Sequence, residues 1–264
     1  MAEYFASPYC YKEFYVKSIK TIISFIVVAI SMVILAPIGF VFGLLGFVFL
    51  KKAMHFITYK VAQGWAVFII WFIGCKLNVK GKGNVPKTGP LCFVCNHDSI
   101  FDILIILAIM GRPAGFIAKK ELAMIPVLNI WIFLLGGHFI DRKDIRKAIK
   151  TINKGVEHIK QGGAMIIFPE GTRSRGHGLL PFRSGAFKLA TQSGAQISPI
   201  AISGSYEVFE RDYRVHSIKL DVTIAPPINI TELSAEERRK DLSNKVHTII
   251  SNALCTHNSP EKQE

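Results

Sequence analysis

From Thr21 to Leu50 the chain runs thirty positions without a charge. About 20 such residues in a helix cross the roughly 30 Å hydrocarbon layer, so the run predicts a membrane-embedded helix. It is far too long for the apolar core of a secretory signal. Pro37 and Gly39 fall inside it and predict a kink or a fold back. A second uncharged run, Val61 to Cys75, has fifteen residues. As a helix it would be about 22 Å long, short for a full crossing. Residues 1–75 therefore read as a two-helix membrane anchor.

From Lys76 onward the pattern alternates. Leu77–Lys80, Leu91–Val94, Gly115–Ala118, His138–Ile140, Ala164–Phe168, Ile197–Ser203 and Ile218–Ile224 read as strands. Between them Ile103–Met110, Leu122–Leu135 (interrupted by Pro126), Asp144–Gln161, Gly185–Gln192 and about Ser234–Leu254 read as helices. This alternation predicts an α/β domain over residues 76–264, with helices on both faces of a sheet. Neither an internal repeat nor a low-complexity segment interrupts it, and the tail beyond about Thr256 reads as frayed.

Charge narrows the partner. The 264 residues carry a formal +13, which points to an anionic surface or substrate. Residues 1–90 hold ten Lys and no Arg against Glu3 and Glu13, and these lysines flank the apolar runs. That is a membrane arrangement, and no nucleic-acid partner is expected. Lys12, Lys17 and Lys20 precede the first run, Lys51, Lys52 and Lys60 connect the two, and Lys76, Lys80, Lys82 and Lys87 follow. A transmembrane hairpin would put the basic connector on the trans side, against the positive-inside bias. Embedding both runs from one side lets all three clusters meet anionic headgroups on the cytoplasmic face. The monotopic anchor is favoured over the spanning one.

Five cysteines at irregular spacing speak against a disulfide framework and for a reducing compartment. Cys92-x-x-Cys95 lies in a strand, where positions three apart face opposite ways, so buried thiols are expected rather than a metal site.

Two segments carry candidate chemistry. In Asn96-His97-Asp98-Ser99-Ile100-Phe101-Asp102, an apolar strand ends and a helix opens, where ligands gather in open α/β sheets. With Ser99 as N-cap, Asp102 falls at the third helical position. From there its carboxylate can turn back to fix the tautomer of His97, which then acts as a base toward a substrate hydroxyl. The competing reading is a capping box, Ser99-x-x-Asp102, with His97 an ordinary loop residue. In Phe168-Pro169-Glu170-Gly171-Thr172-Arg173-Ser174-Arg175, a strand stops at a proline, a glycine allows close approach, and two guanidiniums follow. Arginine forks suit phosphate oxygens; a solvated basic turn is the alternative. Lys119 at a strand-to-helix junction and Asp141-Arg142 after another short strand are weaker anion candidates. No Walker loop is present, which disfavours a nucleoside triphosphate site, and without a G-x-S-x-G a serine hydrolase is disfavoured.

These segments together resemble the lysophospholipid acyltransferase family, and within it the bacterial-type 1-acyl-glycerol-3-phosphate acyltransferases. The H-x4-D signature matches His97 and Asp102, the F-P-E-G-T-R block Phe168 to Arg173, and the F-I-D-R block Phe139 to Arg142. Phe182 to Phe187 looks like the family's basic G-A-F segment, and Ser198 to Ile202 like its late proline-containing strand. The blocks cover about residues 75–205 in order. The resemblance implies a glycerolphosphate acyltransferase-like mixed sheet flanked by helices and acyl transfer from acyl-CoA or acyl carrier protein to the sn-2 hydroxyl of lysophosphatidic acid. It implies His97 as base, Asp102 as its partner, and Lys119, Arg142, Glu170, Gly171, Thr172 and Arg173 around the acceptor, with Arg173 and Lys119 on its phosphate. No cofactor and no metal are implied, and the place of work is a membrane (the inner membrane if bacterial), catalytic domain on the cytoplasmic face. Relatives acting on other lysophospholipids or lyso-aminolipids share these residues. A non-catalytic anionic-lipid binder is the remaining alternative.

Overall fold

A computed structural model describes residues 8–48 and 51–258. In chain order its elements are α1 (Pro8–Val48), α2 (Lys51–Phe72), β1 (Lys76–Lys80), β2 (Leu91–Cys95), α3 (Asp102–Ile109), β3 (Gly115–Lys119), α4 (Leu128–Leu134) and β4 (His138–Ile140). Then come α5 (Ile145–Lys160), β5 (Ala164–Ile167), α6 (Lys188–Ser193), β6 (Gln196–Ser203), α7 (Ser205–Val208), β7 (Lys219–Ile224) and α8 (Leu242–Asn258).

The strands form one seven-stranded sheet in the order β1-β7-β6-β2-β5-β3-β4. All neighbours are parallel except β6 and β7, so the sheet is mixed. The central strands β2 and β5 are buried along their whole length. They read as unbroken apolar runs because a parallel sheet is covered on both faces. Helices α2, α3 and α4 pack on one face with Phe93 and Cys95; α5, α6 and α8 pack on the other with Cys92 and Val94. Cys92 and Cys95 thus point to opposite layers, and burial pushes the Cys92 thiol up to about 12 and Cys95 well above its ordinary value.

Local boundaries follow local chemistry. The N-cap of α5 is Asp144, whose carboxylate accepts from Lys147 N–H at 3.1 Å, and the helix stops before Gly162. The expected helix over 122–135 divides at Pro126, with a 3₁₀ turn before it and α4 after it. By contrast, α1 continues through Pro37 without a break in helical structure, and no fold back occurs there.

The two N-terminal helices play different parts. Helix α1 leaves Val33, Ile34 and Phe40 exposed, and its stretch Val16–Phe42 is long and apolar enough to enter a membrane. Helix α2 instead turns Tyr59, Ala62, Ala66 and Ile70 into the core beside α3. It is a core helix on one side, which a fifteen-residue uncharged run does not reveal. Removing residues 1–50 is expected to leave a folded body that no longer sediments with membranes. Removing 1–75 opens the core and is expected to give aggregate. Sedimentation with circular dichroism checks both, and a folded product lacking α2 would overturn this account.

Candidate active site

The sequence-predicted residues meet at the carboxyl edge of four neighbouring parallel strands. His97 follows β2, Glu170 to Arg173 follow β5, Lys119 ends β3, and Arg142 follows β4. In open α/β sheets this edge is where ligands bind.

His97 Nδ1 lies 2.8 Å from Asp102 Oδ2. Asp102 is 0% exposed, whereas the His97 side chain is 17% exposed, so the imidazole sits between a buried carboxylate and solvent. The same Oδ2 accepts backbone N–H groups of Asp98 at 2.7 Å and Ser99 at 2.9 Å. Of the capping-box reading only the Ser99 N–H to Asp102 contact survives; His97 is not an ordinary loop residue, because the same carboxylate orients it. Ser99 is not the N-cap. Asp102 is the first residue of α3, and the Ser99 hydroxyl donates to Glu210 at 2.5 Å. With Nδ1 committed to the carboxylate, Nε2 is left for chemistry, and the buried negative charge stabilises an imidazolium. Phe168 stacks on the His97 ring, centroids 4.1 Å apart, and fixes its plane.

The loops after β2 and β5 are joined at several points. Glu170 is buried, and its Oε1 accepts His97 N–H at 2.6 Å and its Oε2 Leu180 N–H at 3.1 Å. Its oxygens thus hold backbone on both sides, and Glu170 fixes the position of His97. Asp98 Oδ1 accepts Ser174 Oγ–H at 2.6 Å and Gly176 N–H at 2.7 Å, and Ser174 N–H donates to the His97 carbonyl at 2.8 Å. Burial pushes the Glu170 carboxyl up to about 7; its two N–H donors act against that, and the nearby carboxylates Asp102 and Asp98 add to it. The folded state thus holds the proton more tightly than the unfolded chain. Its contribution is full below the ordinary 4.5 and is lost as pH rises through about 7. The wild-type melting temperature is expected to fall more steeply than that of Glu170→Gln between about pH 5 and 8. Thermal melts across that range check this, and parallel slopes would contradict it.

Cations surround Gly171. Its φ of 73° is one glycine tolerates, and a Cβ there would come within 2.9 Å of the Arg183 guanidinium. Arg142 donates from Nη1 to the Gly171 carbonyl. Burial, then the charge of Arg183, holds Arg142 below its ordinary value. Among the described residues no carboxylate lies within ion-pair distance of Arg142 or Arg183, so the two guanidiniums converge on a place suited to an anion. Arg173 is half-exposed and pairs with Glu210 at 2.9 Å, which leaves the rest of its fork available. Lys119 is exposed at the rim and pairs loosely with Glu121 at 3.7 Å; Thr172 is exposed.

Glu210 escapes sequence reasoning altogether. It is buried, accepts from Ser99, Ile100 N–H and Arg173, and ties the β2 loop to the β5 loop from the segment after α7. Nothing in Glu207-Val208-Phe209-Glu210-Arg211-Asp212 marks it out from a solvated charge cluster. Arg183 lies within the basic G-A-F segment, whose resemblance was the available signal.

The acyltransferase family profile matches residues 76–203. Over 188 residues the chain is 30% identical to the 1-acyl-sn-glycerol-3-phosphate acyltransferase of Borreliella burgdorferi, covering 68% of this chain and 75% of that one. The chain belongs to the acyltransferase family. This acyltransferase is also 33% identical over 168 residues to the 1-acyl-sn-glycerol-3-phosphate acyltransferase of Escherichia coli, covering 63% of this chain and 68% of that one. Its fold is shared with the crystal structure of the 1-acyl-sn-glycerophosphate acyltransferase of Thermotoga maritima, at a TM-score of 0.80 and 24% identity, over 92% of this chain and 96% of that one. The mixed sheet expected of the acyltransferase from its sequence is the sheet observed.

Proposed function

We propose that the protein transfers an acyl group from a thioester, acyl-CoA or acyl carrier protein, to the sn-2 hydroxyl of lysophosphatidic acid, giving phosphatidic acid. The observation that carries this reading is the His97–Asp102 pair at the mouth of a cation-lined sheet edge, in a chain whose relatives bear that activity in their names. His97 Nε2 takes the proton of the acceptor hydroxyl as its oxygen attacks the thioester carbonyl carbon. The tetrahedral intermediate expels the thiolate, the C–S bond breaks, and the proton passes from His97 to sulfur. Asp102 stays ionised and steadies the imidazolium between these steps. Arg173, Arg142 and Lys119 hold the acceptor phosphate, with Arg183 beside them. No atom changes oxidation state, so no redox cofactor is required, and these cations supply the charge a metal would otherwise bring.

The membrane supplies the acceptor. Helix α1 lies along the body: Lys20 donates to the Ile73 carbonyl at 2.8 Å, Phe25 meets Phe209, and Gly39 faces Trp131 and Leu134. Those contacts lie up to nineteen positions apart, about 28 Å of helix axis. A helix held flat against its domain supports a monotopic anchor, with the site beside one leaflet and the catalytic domain on the cytoplasmic face.

The test is a radiolabelled acyl-transfer assay in mixed micelles. It offers lysophosphatidic acid, lysophosphatidylcholine and lysophosphatidylethanolamine with each donor. Phosphatidic acid as the main product is expected. Product from another acceptor alone would overturn the substrate, and no transfer from either donor would leave only a lipid-binding protein.

A further inference from the structure

An open groove of about 240 Å³ runs from Arg142 between α5 and α6, walled by Ile145, Ile149 and Ile152 on one side and closed by Lys188 and Gln192 on the other. Arg142 at its end donates to the Gly171 carbonyl, so the groove ends beside the active-site loop. It lies on the α5, α6 and α8 face of the sheet, opposite the layer of α2 and α4 on which α1 packs. On the monotopic reading proposed above, the acceptor arrives from the bilayer on the α1 side. The face with α5 is the one a water-borne reactant reaches.

The surface of α5 beside this groove has a distinct pattern. Ile145 and Ile149, one turn apart, are 74% and 51% exposed, which is costly for a helix with nothing against it. Next to that row stand Arg146, Lys150 and Lys154, four residues apart and therefore on one face, all exposed. Among the described residues none of the three has an acid within ion-pair distance, whereas Lys147 pairs with Asp144 and Lys160 with Glu157. From Arg142 to Lys160 the segment holds seven Lys and Arg against two acids, Asp144 and Glu157. An apolar row edged by an unneutralised basic row, about 12 Å from Arg146 to Lys154, suits an acidic amphipathic helix of a protein. A single soluble cofactor would need only the groove.

We propose that α5 is the docking surface for an acidic carrier protein whose phosphopantetheine-linked acyl thioester is laid into the α5–α6 groove and delivered at its Arg142 end. This rests on the acyl-transfer reading and specifies its donor. Electrostatic complementarity of this kind speeds encounter and is screened by salt, so the Michaelis constant for the carrier rises with ionic strength.

The experiment uses the full chain in lipid nanodiscs, with lysophosphatidic acid and either acyl carrier protein thioester or acyl-CoA. The variant is Arg146→Glu/Lys150→Glu/Lys154→Glu, with Lys150→Ala as a milder second variant. For the triple variant the carrier KM is expected to rise at least about tenfold with kcat kept, and its salt dependence to flatten. For Lys150→Ala a rise of about two- to threefold is expected. KM for acyl-CoA and for lysophosphatidic acid should stay as in wild type, which also shows that the variants fold. An unchanged carrier KM overturns the proposal. So does an equal rise for both donors, which would assign the basic row to the phosphates of the free cofactor, or loss of nanodisc binding, which would assign it to the membrane. Transfer from acyl-CoA alone by wild type overturns the proposal and leaves the acyl-transfer reading standing. Absence of transfer from both donors overturns that reading as well.

Discussion

Replacing His97 by alanine is expected to lower kcat by about three orders of magnitude while acceptor binding persists, because general-base catalysis contributes roughly 10²–10⁴. The neighbouring carboxylates are tied to backbone, and the oxygen left over on Asp102, Oδ1, is buried. Asp102 Oδ2 is already held by two backbone N–H groups, and Glu170 has its two oxygens on His97 and Leu180 N–H. The arginines around Gly171 are untouched by the change, so lysophosphatidic acid should still bind and protect them from modification. Single-turnover rates with saturating donor, beside equilibrium binding of the acceptor, separate the two effects. A residual rate within about tenfold of wild type would move the base to another residue.

Arg173→Ala is expected to raise the acceptor KM by about two orders of magnitude with the donor KM little changed, the scale of losing one partner of a charge-assisted contact. Arg173→Lys should recover only part of this, because a point charge cannot replace a planar fork on phosphate. The Glu210 carboxylate would also lose its cation, although Ser99 and Ile100 N–H still donate to it. Thermal melts of both variants therefore accompany the kinetics. If donor and acceptor constants rise together, the arginine supports the loops and does not read the phosphate.

Much of this architecture is legible in the chain, for reasons that differ by element. Thirty uncharged residues admit little but a membrane helix, and the runs that became β2 and β5 are apolar throughout because both faces of the sheet are covered. The dyad was readable as a spacing, but not which atoms would meet: that Asp102 both caps its turn and holds His97 needs the loop after β2 to be bent back by Glu170. The core-facing side of α2 is not legible in the sequence, because an apolar run looks the same against lipid as against a protein core. The reversed direction of β7 was hidden for a similar reason, since its alternating burial is the same in either orientation. Glu210 acts through Ser99 and Ile100, more than a hundred positions away in sequence, and through Arg173, 37 positions away, so nothing local could announce it.

The pairing of β1 with β7 also shapes how the protein is made. Lys76 to Lys80 lie beside Lys219 to Thr223, so the first strand finds its neighbour only after about 140 further residues have been translated. At ribosomal speeds of 5–20 residues per second, that delay is roughly 10 s. Through it α1 can already rest in the bilayer while the nascent body remains open beside it. Strands β2 to β5 can assemble early on their own, yet Glu210 and β7 arrive late, ahead only of α8 among the labelled elements. Closure of the sheet and completion of the loop network around Ser99 thus belong to the same late event, and a chain released prematurely would remain on the membrane without a finished site.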